Sequence, residues 1–281
     1  MPDTFRRTAG IRRIACHAGK CILYPEVIFR KIQAQMFQSI DEIGPVQPAK
    51  AGLLSVNDVG VPDYLRRYYW WAYIHPWAVK FWDRHWLINL ILLGNYDRLR
   101  NQALAEFGKS ITGNTLQVAC AYGDITVHLE KRVAAGNGKL DVVDVLPIQL
   151  SNVRRKLPDH TRARLLRMDA ADLRLPDASY DNAILFMLLH EQPMAHRAKT
   201  LSEVFRVVKP GGRVLIVDFA KPRRWNPFYY LWQPFLAVFE PFALDLWWNE
   251  IASLLPPSWR KAKMRRETYF GGFFQKVVVT R

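Results

Sequence analysis

The stretch Thr115-Leu-Gln-Val-Ala-Cys-Ala-Tyr-Gly-Asp124 decides the fold. A β-rich apolar run passes through the small residues Ala119, Ala121 and Gly123 into a segment of helical pattern at 125–135. A strand that turns on small residues into a helix is the opening unit of a parallel sheet covered by helices. Further apolar runs recur at 138–145, 163–170, 180–187 and 212–219, with helical segments at 147–157 and 195–208. Lys209-Pro210-Gly211-Gly212 predicts a stop and turn after the last helix. The terminal ETYFGGFFQKVVVTR predicts two strands broken at Gly271-Gly272, an antiparallel edge hairpin.

Upstream the texture differs. Residues 62–109 are helical in pattern and rich in Trp, Tyr and Leu, with Pro62 at a first helical position and a break predicted at Pro76. Gly94-Asn95 ends the second piece, and a further short helix ends at Gly108. Residues 32–61 mix Gly, Pro and polar residues as a linker, and residues 1–31 carry seven Arg/Lys against Asp3 and Glu26. The predicted organisation is a basic arm and linker at 1–61, an aromatic helical cap at 62–109, and a Rossmann-like sheet domain at 110–281 with a Trp-rich insert at about 223–260.

The chain of 281 residues is half apolar and 13% aromatic, with 40 Lys+Arg against 25 Asp+Glu, a formal charge of +15 and a pI near 9.9. That excludes a disordered chain, and three Cys without a CxxC pair exclude a disulfide scaffold. The positive charge predicts an anionic partner, and the ten Trp decide which. All lie within 70–86 and 225–259, beside Arg66, Arg67, Arg223, Arg224 and the basic run 260–266. Trp with Arg and Lys suits a lipid surface, so an anionic membrane is the predicted partner and nucleic acid is not. No Asn/Asp-Pro-Pro-Tyr motif, paired catalytic Cys or RNA module supports the nucleic-acid alternative. The most apolar run, Trp86–Gly94, is far short of the roughly 20 residues that span a bilayer. Arg154, Arg155, Arg162, Arg164 and Arg167 belong to a separate, solvated face.

In a doubly wound sheet the turn after strand one lies where ligands bind, and Ala119, Ala121 and Gly123 allow close backbone approach. Asp144 ends the next strand about 20 residues after Gly123, the place for a carboxylate on a ribose hydroxyl. The third strand delivers Asp169-Ala-Ala-Asp172, where Asp169 suits an adenine amino group. In this order the signals predict a nucleoside cofactor. The arrangement resembles the class I methyltransferase fold with its S-adenosylmethionine site. The resemblance assigns Gln117, Ala119, Ala121, Gly123, Asp124, Asp144 and Asp169 to cofactor binding. It also exposes a departure, because that superfamily's first motif has an acid and glycines where this chain has Gln117, Ala119 and Ala121. A carboxylate stabilises the ammonium form of the methionine α-amine, whereas neutral Gln117 leaves a larger share as the nucleophilic free amine.

The fourth strand of this fold ends beside the transferred group, here at Leu189-His190-Glu191-Gln192-Pro193. His190 and Glu191 are candidate acid–base groups or metal ligands, with Asp124, His128 and Asp218 as further ligand candidates and Tyr122 as a further catalytic residue. Neighbours on an extended chain point apart, so His190 and Glu191 share one ion only if the chain turns there.

Leu116-Gln-Val-Ala-Cys-Ala-Tyr-Gly-Asp124, Asp144-Val-Leu-Pro-Ile-Gln-Leu150 and Leu188-Leu-His-Glu-Gln-Pro193 together resemble the rhodoquinone-biosynthesis protein family, over about residues 60–281. The resemblance implies replacement of a ring methoxy of ubiquinone by an amino group, with S-adenosylmethionine as amino donor and Mn²⁺ as helper ion, for which His190, Glu191 and Asp124 are the first candidate ligands. It implies ubiquinone in the membrane as partner and a peripheral place on the cytoplasmic face of the bacterial inner membrane, or on the matrix side of the mitochondrial one. The alternatives are a quinone-ring methyltransferase and a non-catalytic membrane quinone-binding or assembly factor. The two Trp-rich segments are then expected to wall the entry for the quinone.

Overall fold

The computed structural model describes residues 60–259 and 262–281; the predicted basic arm and most of the linker, with Arg260 and Lys261, lie outside the described residues. Seven strands form one sheet: β1 (Asn114–Val118), β2 (Lys139–Asp144), β3 (Arg164–Arg167), β4 (Tyr180–Phe186), β5 (Val208–Phe219), β6 (Lys263–Tyr269) and β7 (Phe274–Thr280). Their order is β3-β2-β1-β4-β5-β7-β6. The first five are parallel, and β7 enters antiparallel between β5 and β6. This is the predicted mostly parallel, Rossmann-like sheet with a late antiparallel hairpin.

The order reverses between β1 and β4, so a crevice opens outside the carboxyl ends of these strands. Both faces of the sheet are covered. Cys120, Val142, Ile184 and Leu215 pack into one core and Leu116, Val118, Val143 and Leu185 into the other. Burial on both sides is why the strands are near-continuous apolar runs rather than alternating ones.

The cap is more broken than the sequence suggests. Helix α1 (Asp63–Tyr68) leads to a π-helical turn, Trp70–Ile74, then to α2 (Pro76–Trp82), α3 (His85–Ile91) and α4 (Tyr96–Ala105). The predicted break at Pro76 is a helix start, with Pro at the first position and the His75 side chain accepting from the Trp77 N–H. Helix α5 (Ile125–Ala135), α6 (Pro147–Lys156) and α7 (Met194–Val207) flank the sheet within a residue or so of their predicted bounds.

One prediction is corrected. Lys209–Gly212 does not stop the chain, because α7 runs directly into β5. Val208 pairs with Tyr180 and Arg213 with Asn182, so the intervening residues are absorbed as a bulge with Gly211 left-handed (φ 78°).

The insert after β5 forms α8 (Phe228–Phe239), α9 (Ala243–Trp248) and α10 (Ile251–Leu254). The ten Trp divide by depth. Trp247 and Trp259 are buried, the latter against Phe205 at 4.3 Å, whereas Trp77, Trp86, Trp225 and Trp248 are exposed. Arg164 lies on the predicted solvated face with its side chain exposed, while two of its nitrogens bind the buried Asp141 carboxylate at 2.6 and 2.5 Å. Among the described residues no helix is long and apolar enough to cross a membrane.

Candidate functional site

The turn after β1 is tight and strained. Ala119 is left-handed (φ 68°), where the superfamily motif has glycine, and Gly123 is left-handed (φ 89°). A Cβ on Gly123 would lie 2.2 Å from the Tyr96 hydroxyl, so only glycine fits there. That hydroxyl accepts the Asp124 and Ile125 N–H groups at the start of α5. The cap grips the same turn: Asp83 accepts the Gly123 N–H at 2.7 Å and binds Lys156, whose ammonium also reaches the Gly123 carbonyl.

Gln117 is buried under this turn. Its amide nitrogen donates to Thr126 Oγ1 (2.9 Å) and the Ala119 carbonyl (3.1 Å), which fixes its orientation. Its Oε1 is buried, and none of the described residues donates to it. An uncharged acceptor therefore stands where the superfamily places a carboxylate, and it fits an amine donor.

Asp144 at the end of β2 accepts the N–H groups of Cys120 (2.7 Å) and Leu146 (2.8 Å). Burial pushes its carboxyl up to about 6 against those hydrogen bonds. Asp169 holds His196 at 3.0 Å and the Ala171 N–H at 2.8 Å; burial opposes ionisation, but these contacts outweigh it and keep its pKa low. His196 in turn meets the Tyr64 ring edge-on at 5.0 Å. Asp172 is exposed beside Arg174.

Beyond β4 lies a buried cluster of ionisable groups built from four parts of the chain. After β4 the chain makes a single 3₁₀ turn, Leu189–Glu191, supplying the turn required for His190 and Glu191 to face one another. His190 Nε2 lies 3.7 Å from Glu191 Oε1. His190 Nδ1 meets Asp218 Oδ1 of β5 at 2.8 Å, and the other oxygen of Asp218 accepts the Leu189 N–H at 2.7 Å. Burial disfavours the imidazolium, but the Asp218 carboxylate outweighs it and raises His190 to about 9. Burial raises Glu191 to about 8, with the His190 charge opposing. Both groups thus favour their protonated forms, the imidazole because Asp218 faces it and the carboxyl because it is buried.

The residues that close this cluster come from the cap and the insert, not from the strand-end motifs. Tyr73 of the π-helical turn donates to Glu191 and stacks on Tyr122 with centroids 5.3 Å apart. The Tyr122 hydroxyl donates to the Ala72 carbonyl at 2.6 Å and accepts from Gln149. Tyr69 donates to Glu240 at 2.8 Å, and burial raises the Glu240 carboxyl. Arg197 is fully buried, donating to the carbonyls of Leu189, Gln192 and Phe242. A signal for Glu240 did exist: it closes twelve residues, Phe228–Phe239, that contain no charge.

The proposed metal set is corrected. Asp124 is not joined to His190 and Glu191, because Arg100 takes its two carboxylate oxygens at 2.7 and 2.8 Å, with Tyr96 and His128 beside it. Among the described residues no group of three or more His, Cys, Asp or Glu is arranged to hold a metal ion. The donors do not fit Mn²⁺.

The sheet order, the β1 turn and the strand-end acids define the class I S-adenosylmethionine-dependent methyltransferase fold. Residues 115–212 match the family described as a methyltransferase domain. The chain is 26% identical over 211 residues to an uncharacterized methyltransferase of Synechocystis sp., covering 74% of this chain and 92% of that protein. It is 30% identical over 140 residues to the ubiquinone/menaquinone biosynthesis C-methyltransferase of Stutzerimonas stutzeri, spanning 48% of this chain and about half (54%) of that protein. A solved S-adenosylmethionine-dependent methyltransferase from Aquifex aeolicus superposes with a TM-score of 0.51 at 21% identity over 73% of this chain and 98% of that one, a likeness of fold.

Proposed function

We propose that the protein converts ubiquinone to rhodoquinone, replacing a ring methoxy group by an amino group, as its resemblance to the rhodoquinone-biosynthesis family implies. The observation that carries this reading is the buried His190–Asp218 pair. An imidazole whose Nδ1 faces a buried carboxylate at 2.8 Å is favoured in its protonated form and is placed to give up a proton. Displacing methoxide needs an acid.

Bound at the β1 turn, S-adenosylmethionine supplies the amine nitrogen. Gln117 Oε1 accepts a hydrogen bond from that amine without favouring its charged form. As nitrogen bonds to the methoxy-bearing ring carbon and the carbon–oxygen bond breaks, His190 protonates the departing oxygen, which leaves as methanol. Asp218 stabilises and orients the imidazolium. The proton released by the adding amine would return to the His190–Glu191 pair. The amino group would be freed when the quinone ring takes up the two electrons of the donor's Cα–H bond, turning the nitrogen–Cα link into an imine. Water then hydrolyses that link to the aminohydroquinone and the donor's 2-oxo acid. The quinone is a membrane lipid, and the reading goes with the expected place on the cytoplasmic face of the bacterial inner membrane or the matrix side of the mitochondrial one.

The second reading is a quinone-ring C-methyltransferase, favoured by the name of the Stutzerimonas relative. Expression in a ubiquinone-making host that lacks rhodoquinone, followed by mass spectrometry of its quinones, separates the two. An aminoquinone carrying ¹⁵N from labelled S-adenosylmethionine supports amination; a newly methylated quinone replaces it with the second reading.

A further inference from the structure

The outer surface of the cap and insert carries an apolar face with a cationic border. Helix α8 holds twelve residues without a charge, yet only Leu236 among them is buried. Tyr230 (62% exposed), Leu231 (65%), Pro234 and Phe235 (41%) lie one and four residues apart, so they form a single stripe on the outer side of the helix. Water-facing apolar side chains in such a stripe are costly unless something covers them.

The stripe does not stop at α8. Phe235 packs on Phe239 (4.8 Å), Phe239 on Trp71 (6.4 Å) and Trp71 on Trp82 (5.3 Å). Trp82 packs on Phe81 (5.1 Å), which stacks on the 64% exposed Trp77. A continuous run of rings thus joins the insert to α2. Cations border it. The Arg84 guanidinium lies over Phe81 at 5.5 Å, and exposed Arg223 and Arg224 precede exposed Trp225 just before α8. Lys221 sits over the exposed Trp248 at 3.8 Å.

We propose that this face docks on an anionic lipid bilayer, with Tyr230, Leu231, Phe235 and Trp77 entering the headgroup boundary and Arg84, Arg223 and Arg224 meeting phosphates. An apolar stripe on a short helix, aromatic anchors and a basic rim are what an interfacial helix requires. The elements that carry the face also reach the reacting cluster: Glu240 directly follows α8, and Tyr73 lies two residues after Trp71. The proposal deepens the quinone reading, since it brings the reacting cluster to the phase that holds the quinone, but its test needs neither quinone nor turnover.

The full chain is sedimented with vesicles of phosphatidylcholine alone or mixed with phosphatidylglycerol. Binding is expected with the mixed vesicles and weakens with added salt. The double variant Leu231→Glu/Phe235→Glu is expected to bind at least roughly thirtyfold more weakly, since two apolar contacts become charged, with unchanged circular dichroism. Arg223→Glu/Arg224→Glu is expected to lose the preference for phosphatidylglycerol. No sedimentation of the native chain, or equal binding by the Leu231/Phe235 variant, overturns the proposal. So does a native dimer by light scattering that the Leu231/Phe235 variant dissociates, because the face then belongs to a second copy. If docking holds while no aminoquinone is made, the chemical reading alone has failed.

Discussion

At the residue scale, the proposed amination rests on Gln117 and His190, and each makes a separate claim. Gln117 can do with Oε1 only what an uncharged acceptor does, because Thr126 and Ala119 hold its amide nitrogen in place. Gln117→Asp restores the charge that favours an ammonium, so amination should slow and its pH profile move toward alkali, followed as aminoquinone formed between about pH 6 and about pH 9. A profile identical to that of the native enzyme contradicts this role. His190→Asn keeps a hydrogen-bond donor toward Asp218 but removes the transferable proton. The rate should fall by roughly 10²- to 10⁴-fold. The native rate should also decline as pH rises through about 9, and the variant should lack that decline. Both residues were visible in the sequence, since a motif departure and a His-Glu pair at a strand end depend only on local spacing. Asp124 shows the limit of such reasoning. Its place after the β1 turn suits a ligand, but Arg100, on α4 of the cap, claims its carboxylate.

At the element scale, the π-helical turn Trp70–Ile74 links cap to site. Tyr73 donates to Glu191, Ala72 accepts from Tyr122, and Trp71 packs on Phe239, so one short turn touches three other segments. Tyr73→Phe keeps the stacking on Tyr122 but leaves the buried Glu191 without its donor. It should cost about 1–3 kcal/mol in denaturant unfolding, and an unchanged midpoint would show that the turn does not hold the cluster. The sequence marked 62–109 as helical and aromatic but did not show that it would fold as five short pieces. Where a helix breaks depends on which aromatic rings find a partner, and those partners lie in α8 and the β1 turn. The β5 bulge makes the same point. Pro-Gly-Gly is a stop in isolation, yet β4 pairs on either side of it at Val208 and Arg213, and Gly211 and Gly212 bond the Arg281 backbone, so the strand continues through it.

At the scale of the whole molecule, stability should depend on pH through the buried cluster. His190 rises from its ordinary 6.5 to about 9, so its contribution is complete below pH 6.5 and is lost as pH rises through 9. Glu191 rises from 4.5 to about 8, so the folded state favours its protonated form and loses that contribution as pH climbs toward 8. Both act in one direction: the denaturation midpoint should fall between pH 6.5 and 9, and His190→Asn should flatten part of the fall. A midpoint that rises over this range would contradict the charge states assigned to the pair.

The sequence by itself determined the parallel sheet, its late hairpin and the order of acids at the strand ends. Each of these follows from local patterns of apolar runs, small residues and turns, which any homologous context would fold alike. Only the tertiary structure decided which carboxylates meet. Tyr69 and Glu240 are 171 residues apart yet share a hydrogen bond, and Tyr73 reaches Glu191 across 118. It also decided which Trp face outward, because the composition of an aromatic run is the same whether its rings fill a core or a surface. Burial and charge pairing depend on what packs opposite, and no local pattern carries that information.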